Sequence, residues 1–278
     1  MKTKYIWLIL LLIGFTACEN DDNSSSTPIV ELSPGNADFT KYVAIGNSLT
    51  AGFSDAALFM ATQENSFPNI LAQQFALVGG GAFTQPLMND NFGGMTLGGN
   101  RILQPRLVTT GGGPVPLESV IGPVMVGTEV SNILSGPFNN MGVPGASSFH
   151  LLDLGIPGSG YGDINGLGVY ANPYFIRMAS APDATVIGDA MAQNPTFFSL
   201  WIGSNDVLGY ATTGGDGSRT ITDQGTFNAV YNTPPSASLP YNKEAGPFIT
   251  STLSIPFELK PRPCSSPYCW FSKRTPCV

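Results

Sequence analysis

Charge is scarce in this sequence. Only 11% of its 278 residues are Asp, Glu, Lys or Arg, against about a quarter in ordinary soluble proteins. That excludes a charge-rich disordered chain and leaves Gly, Ser, Thr and Asn to face water. Basic residues are scarcer still: twelve Lys and Arg stand against nineteen Asp and Glu. No basic stripe is available to neutralise phosphates, so nucleic acid is not an expected partner. There is one histidine, His150, so a metal centre built from several imidazoles is impossible, and no cofactor is expected. Cysteine is missing from Glu19 to Pro263; Cys18 stands alone, and Cys264, Cys269 and Cys277 crowd the end at a spacing that fits no common zinc site. Outside the N-terminus no apolar run approaches the 18 or so residues that cross a bilayer. What is present is 42% hydrophobic, enough for one domain with its own core.

Lys2 and Lys4 precede the apolar run Ile6 to Phe15, which is too short to span a membrane but suits a secretory signal. The run ends in Phe15-Thr16-Ala17-Cys18, which resembles a bacterial lipoprotein signal with Phe15 in place of the usual Leu. The resemblance implies removal of residues 1–17 and lipidation of Cys18; the alternative is a plain secretory signal with an incidental cysteine. Glu19 to Asp38, acidic and carrying Ser24 to Ser26, is too poor in apolar residues to pack and is expected to be a tether. An exported domain, anchored by an acyl chain at the periplasmic or outer cell surface, is the expected arrangement.

Tyr42-Val43-Ala44-Ile45 reads as a strand covered on both faces. Ser66 is placed to cap a helix with Pro68 in its first turn and Phe67, Ile70, Leu71 and Phe75 on one face. From Val78 to Ser135 the pattern dissolves into glycine and proline. So long an aperiodic stretch is either a functional insertion that shapes a substrate site or a decorative surface excursion. Phe138-Asn139-Asn140-Met141 reads as a weak strand, followed by a helix from Ser147; a further helix is expected over Thr185 to Gln193. The clearest strand is Thr196 to Ile202, β-branched and aromatic. All three strands run into glycine-bearing polar turns. The expected fold is α/β with a parallel sheet, in which strand C-termini form the ligand edge and the three turns meet there.

Gly46-Asn47-Ser48-Leu49-Thr50-Ala51-Gly52 places a serine just past the first strand between glycines. It resembles the first block of the SGNH hydrolases, also called the GDSL family, with Asn47 where the family has aspartate. Asn140-Met141-Gly142-Val143-Pro144-Gly145-Ala146 resembles the second block, and Gly203-Ser204-Asn205-Asp206 the third, Gly-x-Asn-Asp. The resemblance covers about Lys41 to Tyr231 and implies a three-layer α/β/α domain over residues 39–232, with 78–135 inserted. It implies hydrolysis of carboxylic esters by Ser48 through an acyl-enzyme. The oxyanion is then held by the Ser48 and Gly145 N–H groups and the Asn205 amide, with Gly203 and Asp206 in support. Asp206 reads as a structural hydrogen-bonding residue rather than a reacting acid.

The family takes its base from a later Asp-x-x-His block, and none occurs here. His150 precedes the third block, its Asp153 stands in reversed order, and it reads as a structural histidine after Gly145. The composition shifts past Tyr231, and residues 233–278 form an atypical Pro- and Cys-containing tail. The sheet is accordingly expected to be incomplete at its C-terminus, with the triad's acid and base encoded downstream or in another frame. Two functions follow: a lipid-anchored ester hydrolase, impaired without its histidine, acting on a lipid, an acylated glycan or a small ester; or a non-catalytic surface-binding lipoprotein. In the second, Trp201, Tyr210 and the Gly-rich segment form a platform, although aromatics beside a strand are commonly core.

Overall fold

The computed structural model describes residues 32–153 and 160–232. The expected signal 1–17, Cys18, the expected tether up to residue 31 and the tail 233–278 lie outside the described residues. The chain divides into Met1–Ser33 and Pro34–Val278, and every element below belongs to the second unit. Its strands are β1 (Tyr42–Gly46), β2 (Met95–Leu97), β3 (Asn100–Leu103), β4 (Leu107–Thr110), β5 (Gly113–Pro116), β6 (Asn140–Gly142) and β7 (Phe197–Trp201).

The fold is mixed α/β. β1 lies between β6 and β7 and runs parallel to both. All five residues of β1 are buried, which explains its unbroken apolarity: a strand covered on both faces has no solvent side to mark with polar residues. Alternate side chains go to opposite faces. Tyr42 and Ala44 pack with Leu71, Ala72 and Phe75 of the helix Phe67–Ala76, while Val43 and Ile45 join Val186, Ile187 and Ala190 of the helix Val186–Ala192. Each of the Val, Ile, Leu and Phe side chains among these contributes up to about 1.5–3 kcal/mol by leaving water. Among the described residues no helix is long and apolar enough to cross a membrane.

Local chemistry sets the helix ends, not always as the sequence suggests. Thr185 caps its helix, its hydroxyl accepting the Gly188 N–H at 2.9 Å. Ser66 occupies the N-cap position but makes no side-chain cap; its hydroxyl instead donates to Gln85 Oε1 at 3.1 Å. Ile70, expected on the buried face, is 47% exposed, and Ala72 takes its place against the sheet. The weak strand begins two residues later than expected, at Asn140; Asn139 before it still joins β1, its carbonyl accepting the Ala44 N–H at 2.8 Å and its side chain donating to the Tyr42 carbonyl at 2.7 Å. The segment after Gly145 is not an α-helix but a 3₁₀ turn, Ser148–Leu152, closed by Asp153 in the left-handed conformation.

The Gly- and Pro-rich insertion, which shows no pattern in sequence, holds two antiparallel hairpins, β2–β3 and β4–β5, and a short helix, Glu118–Ile121. Its strands are short and half-exposed, so few of their side chains announce a buried face. It nonetheless supplies Met88, Met95 and Val130 to a buried cluster with Ala51, Leu58 and Ile176. This region thus packs against the segment that carries Ser48.

Candidate active site

The three strands of the parallel sheet end side by side. Gly46 is paired with Gly142 on one side and Trp201 on the other, so the strand ends stand in a row at about 4.8 Å spacing. Each is followed by one of the three glycine-bearing turns, and side-chain hydrogen bonds tie these turns together.

Ser48 opens the helical turn Ser48–Ala51, capped by Asn47, whose Oδ1 accepts the Leu49 N–H at 3.1 Å. Asn47 is fully buried, and its Nδ2 donates to Ser204 Oγ at 2.8 Å, joining the first turn to the third. An aspartate here would put a carboxylate in that buried position; the neutral amide makes both bonds without a charge. Ser48 is half-buried, and among the described residues no side chain hydrogen-bonds to its Oγ. The glycines on either side of this turn are required by close approach. A Cβ on Gly46 would overlap Thr50 Oγ1 and the Trp201 carbonyl, and one on Gly142 would overlap the Ala51 nitrogen. Asn140, also buried, fastens the same turn by donating to the Thr50 carbonyl at 3.0 Å.

The second turn leaves β6 with Val143 N–H donating to the Gly46 carbonyl at 2.9 Å. Gly145 is exposed with φ +84, a backbone that a side chain strains, and its position at the open edge suits an N–H donor. Asn172 was not legible as part of this site. Its Nδ2 donates to the Pro144 carbonyl at 2.9 Å and to Tyr161 Oη at 3.0 Å, while its Oδ1 caps the helix Pro173–Ile176. The Asn172-Pro173 dipeptide signals a helix start but not the reach of the side chain to a loop 28 residues earlier.

The third turn begins at buried Gly203, the N-cap of the helix Ser204–Thr212. Asn205 Nδ2 donates to the Ala146 carbonyl at 2.8 Å. An amide nitrogen carries two N–H groups, so this bond orients the side chain and leaves the second for a ligand. Asp206 is 4% exposed and accepts from Ser148 N at 2.9 Å and Ser148 Oγ at 2.6 Å. Its oxygens are committed to holding the second turn against the third, the structural role expected of it.

His150 is turned away from base chemistry. Its Nδ1 accepts the Ser147 N–H at 2.9 Å, which puts the proton of the neutral ring on Nε2 and leaves no lone pair for a serine hydroxyl. The ring stacks on Tyr161 with centroids 4.7 Å apart. Burial lowers its pKa to about 4, against the opposing pull of the Asp206 charge. Trp201, by contrast, is not core: it is 41% exposed at the end of β7, with its ring against Phe67. Tyr210 is half-buried beside Gly215. Among the described residues no three His, Cys, Asp or Glu side chains are grouped to hold a metal ion.

No family profile, curated protein or solved structure matches the chain.

Proposed function

We propose that this chain is a serine ester hydrolase of the SGNH type, exported and held at a membrane through Cys18. The observation that carries the reading is the closure of the three turns at the C-terminal edge of the sheet: Asn47 to Ser204, Asn205 to Ala146, and Asp206 to Ser148. In this reading Ser48 Oγ attacks an ester carbonyl, and the alkoxide that forms is stabilised by the N–H groups of Ser48 and Gly145 and by the second N–H of Asn205. The Ser48 proton goes to solvent or added base, the ester C–O bond breaks and the alcohol leaves with a proton. Water then cleaves the Ser48 acyl ester to release the carboxylic acid and restore the hydroxyl.

The sequence contains no second histidine, and His150 has its Nδ1 occupied. The turnover expected of the chain alone is therefore the residual part that positioning and the oxyanion donors supply, after a loss of about 10⁶-fold for a missing triad histidine. The test is hydrolysis of a p-nitrophenyl ester by the full chain, with and without added imidazole as a diffusible base. Imidazole-stimulated turnover that disappears in Ser48→Ala, and falls about 10²- to 10³-fold in Asn205→Ala, supports the reading. Equal turnover in Ser48→Ala overturns it.

The absence of a base beside Ser48 among the described residues favours one other reading, a surface-binding protein that keeps a hydrolase-like scaffold. Exposed Trp201 then belongs to its platform. Binding of an acylated glycan or lipid that is unchanged in Ser48→Ala but lost in Trp201→Ala, with no labelling of Ser48 by a fluorophosphonate even in imidazole, decides for that reading.

A further inference from the structure

We infer that Asn172 is a positioning residue for the oxyanion donor Gly145: by holding the Pro144 carbonyl it fixes the one peptide whose N–H stands open at the edge of the sheet. The inference rests on the ester-hydrolase reading of Ser48. It starts from the turn Val143–Ala146, closed by the Ala146 N–H donating to the Val143 carbonyl at 3.1 Å. Proline in its second position and Gly145 at φ +84 in its third make it a type II turn. Types I and II differ by a flip of the central peptide, here Pro144–Gly145. In a trans peptide the C=O and the N–H point to opposite sides. Whatever holds the Pro144 oxygen therefore decides where the Gly145 N–H points.

Asn172 holds that oxygen at 2.9 Å through its Nδ2, and it is itself fixed at every polar atom. Its backbone N–H donates to the Tyr161 carbonyl at 2.9 Å, and its own carbonyl accepts the Ile176 N–H at 2.9 Å. Its second amide hydrogen goes to Tyr161 Oη at 3.0 Å, and its Oδ1 accepts the Tyr174 N–H at 2.9 Å and the Phe175 N–H at 3.3 Å. Burial raises the Tyr161 pKa, so that hydroxyl stays neutral as an acceptor. The two ends of the turn are tied as well. Val143 N–H donates to the Gly46 carbonyl, two residues before Ser48, and the Ala146 carbonyl accepts from Asn205. Among the described residues no acceptor takes the Gly145 N–H. Pro144 is buried and Gly145 exposed: the carbonyl is drawn inward and the N–H is left facing out, between the Ser48 and Asn205 turns. A flipped peptide would leave the Asn172 amide without its acceptor and present an oxygen lone pair, rather than a donor, to a developing oxyanion.

The experiment uses Asn172→Ser in the full chain. Serine keeps the cap of the helix Pro173–Ile176 but lacks the amide that reaches Pro144. The first readout is the nuclear Overhauser effect between Pro144 Hα and the Gly145 N–H, strong in a type II turn and weak in a type I turn. It is expected to be strong in the parent and weakened in the variant. The second is the imidazole-stimulated p-nitrophenyl ester assay. There kcat is expected to fall about 10- to 10²-fold, short of the loss for a donor removed outright because Pro-Gly by itself suits the type II turn. KM is expected to stay within about twofold, as for an interaction made in the transition state. A weak effect in the parent overturns the proposal, as does a variant that keeps the strong effect, keeps the parent kcat or loses turnover through KM alone. Turnover that survives Ser48→Ala overturns the ester reading and the proposal together. Ser48-dependent turnover with an unmoved kcat in Asn172→Ser overturns the positioning role alone. Should Asn172→Ser fail to fold, the same two readouts are taken on Asn172→Asp, which keeps an oxygen for the cap and removes the amide hydrogens.

Discussion

Glycine serves two different ends in two regions of this molecule. At the edge of the parallel sheet, Gly46 and Gly142 stand where a Cβ would overlap the backbone or side chains of the Ser48 turn. In the insertion, Gly98, Gly99, Gly111, Gly112 and Gly122 face open space. The polar side chains divide in the same way. Asn47, Asn140 and Asp206 are buried and bind across long sequence separations, while Arg101 and Glu118 pair on the surface of the insertion. Composition makes the two regions look alike; packing makes one intolerant of change and the other permissive.

Four substitutions or conditions sharpen that contrast. The largest effect is expected from Asp206→Ala, which leaves the N–H and hydroxyl of fully buried Ser148 without an acceptor. At about 1–3 kcal/mol for each orphaned group, the loss in urea unfolding should be about 2–6 kcal/mol. A loss below about 1 kcal/mol would mean that Asp206 does not hold the second turn to the third. Gly142→Ala comes next. Forcing a methyl against the Ala51 nitrogen places it at the upper end of the range of about 1–3 kcal/mol for overpacking. The proposed ester turnover should fall with it, because the Ser48 turn must shift. Parent-like stability and turnover in this variant would break the close-approach account of Gly142.

The third effect is a pH dependence. The His150 pKa is about 4 in the folded chain, held below its usual 6.5 by burial. Between those values the unfolded state binds more protons than the folded one, so stability rises with pH across this window. It is full above about 6.5 and is lost as the pH falls toward 4, by on the order of 3 kcal/mol at most. His150→Phe should flatten that slope, and an unchanged slope in the variant would assign it to other groups. The smallest effect is expected in the insertion. Gly111→Ala meets nothing and reduces the freedom of the unfolded chain, so a gain of about 0.4–1 kcal/mol is predicted. A loss there comparable to that of Gly142→Ala would erase the contrast between the two regions.

Much of the sheet was legible from sequence because its signals are local. Tyr42 to Ile45 reads as a doubly covered strand, and Phe197 to Trp201 lies within the expected run. Thr185 names the start of its own helix. Signals that depend on a distant partner were not legible. Ser66 has the residue type and position of a cap, yet its hydroxyl goes to Gln85. The hairpins of the insertion lack long alternating runs because their strands have three or four residues and little to bury. Asn172 gave only its helix start, since its grip on Pro144 exists only once the chain has folded back.

The sequence by itself determined the elements: which runs are apolar enough to be buried, where glycine and proline interrupt them, and that a single imidazole is present. It also placed a serine, an asparagine and an exposed-edge glycine after three strands. Only the tertiary structure decided the register that sets those strand ends side by side, and that Asn47, Asn205 and Asp206 fasten the three turns to one another. It alone decided that His150 offers its lone pair to a backbone N–H and that Asn172 holds the Pro144 carbonyl. The physical reason is the range of the forces involved. Backbone preference and apolar patterning act over a few residues and are written in order along the chain. Hydrogen bonds and burial depend on which groups share a volume, and that is fixed only when distant segments meet.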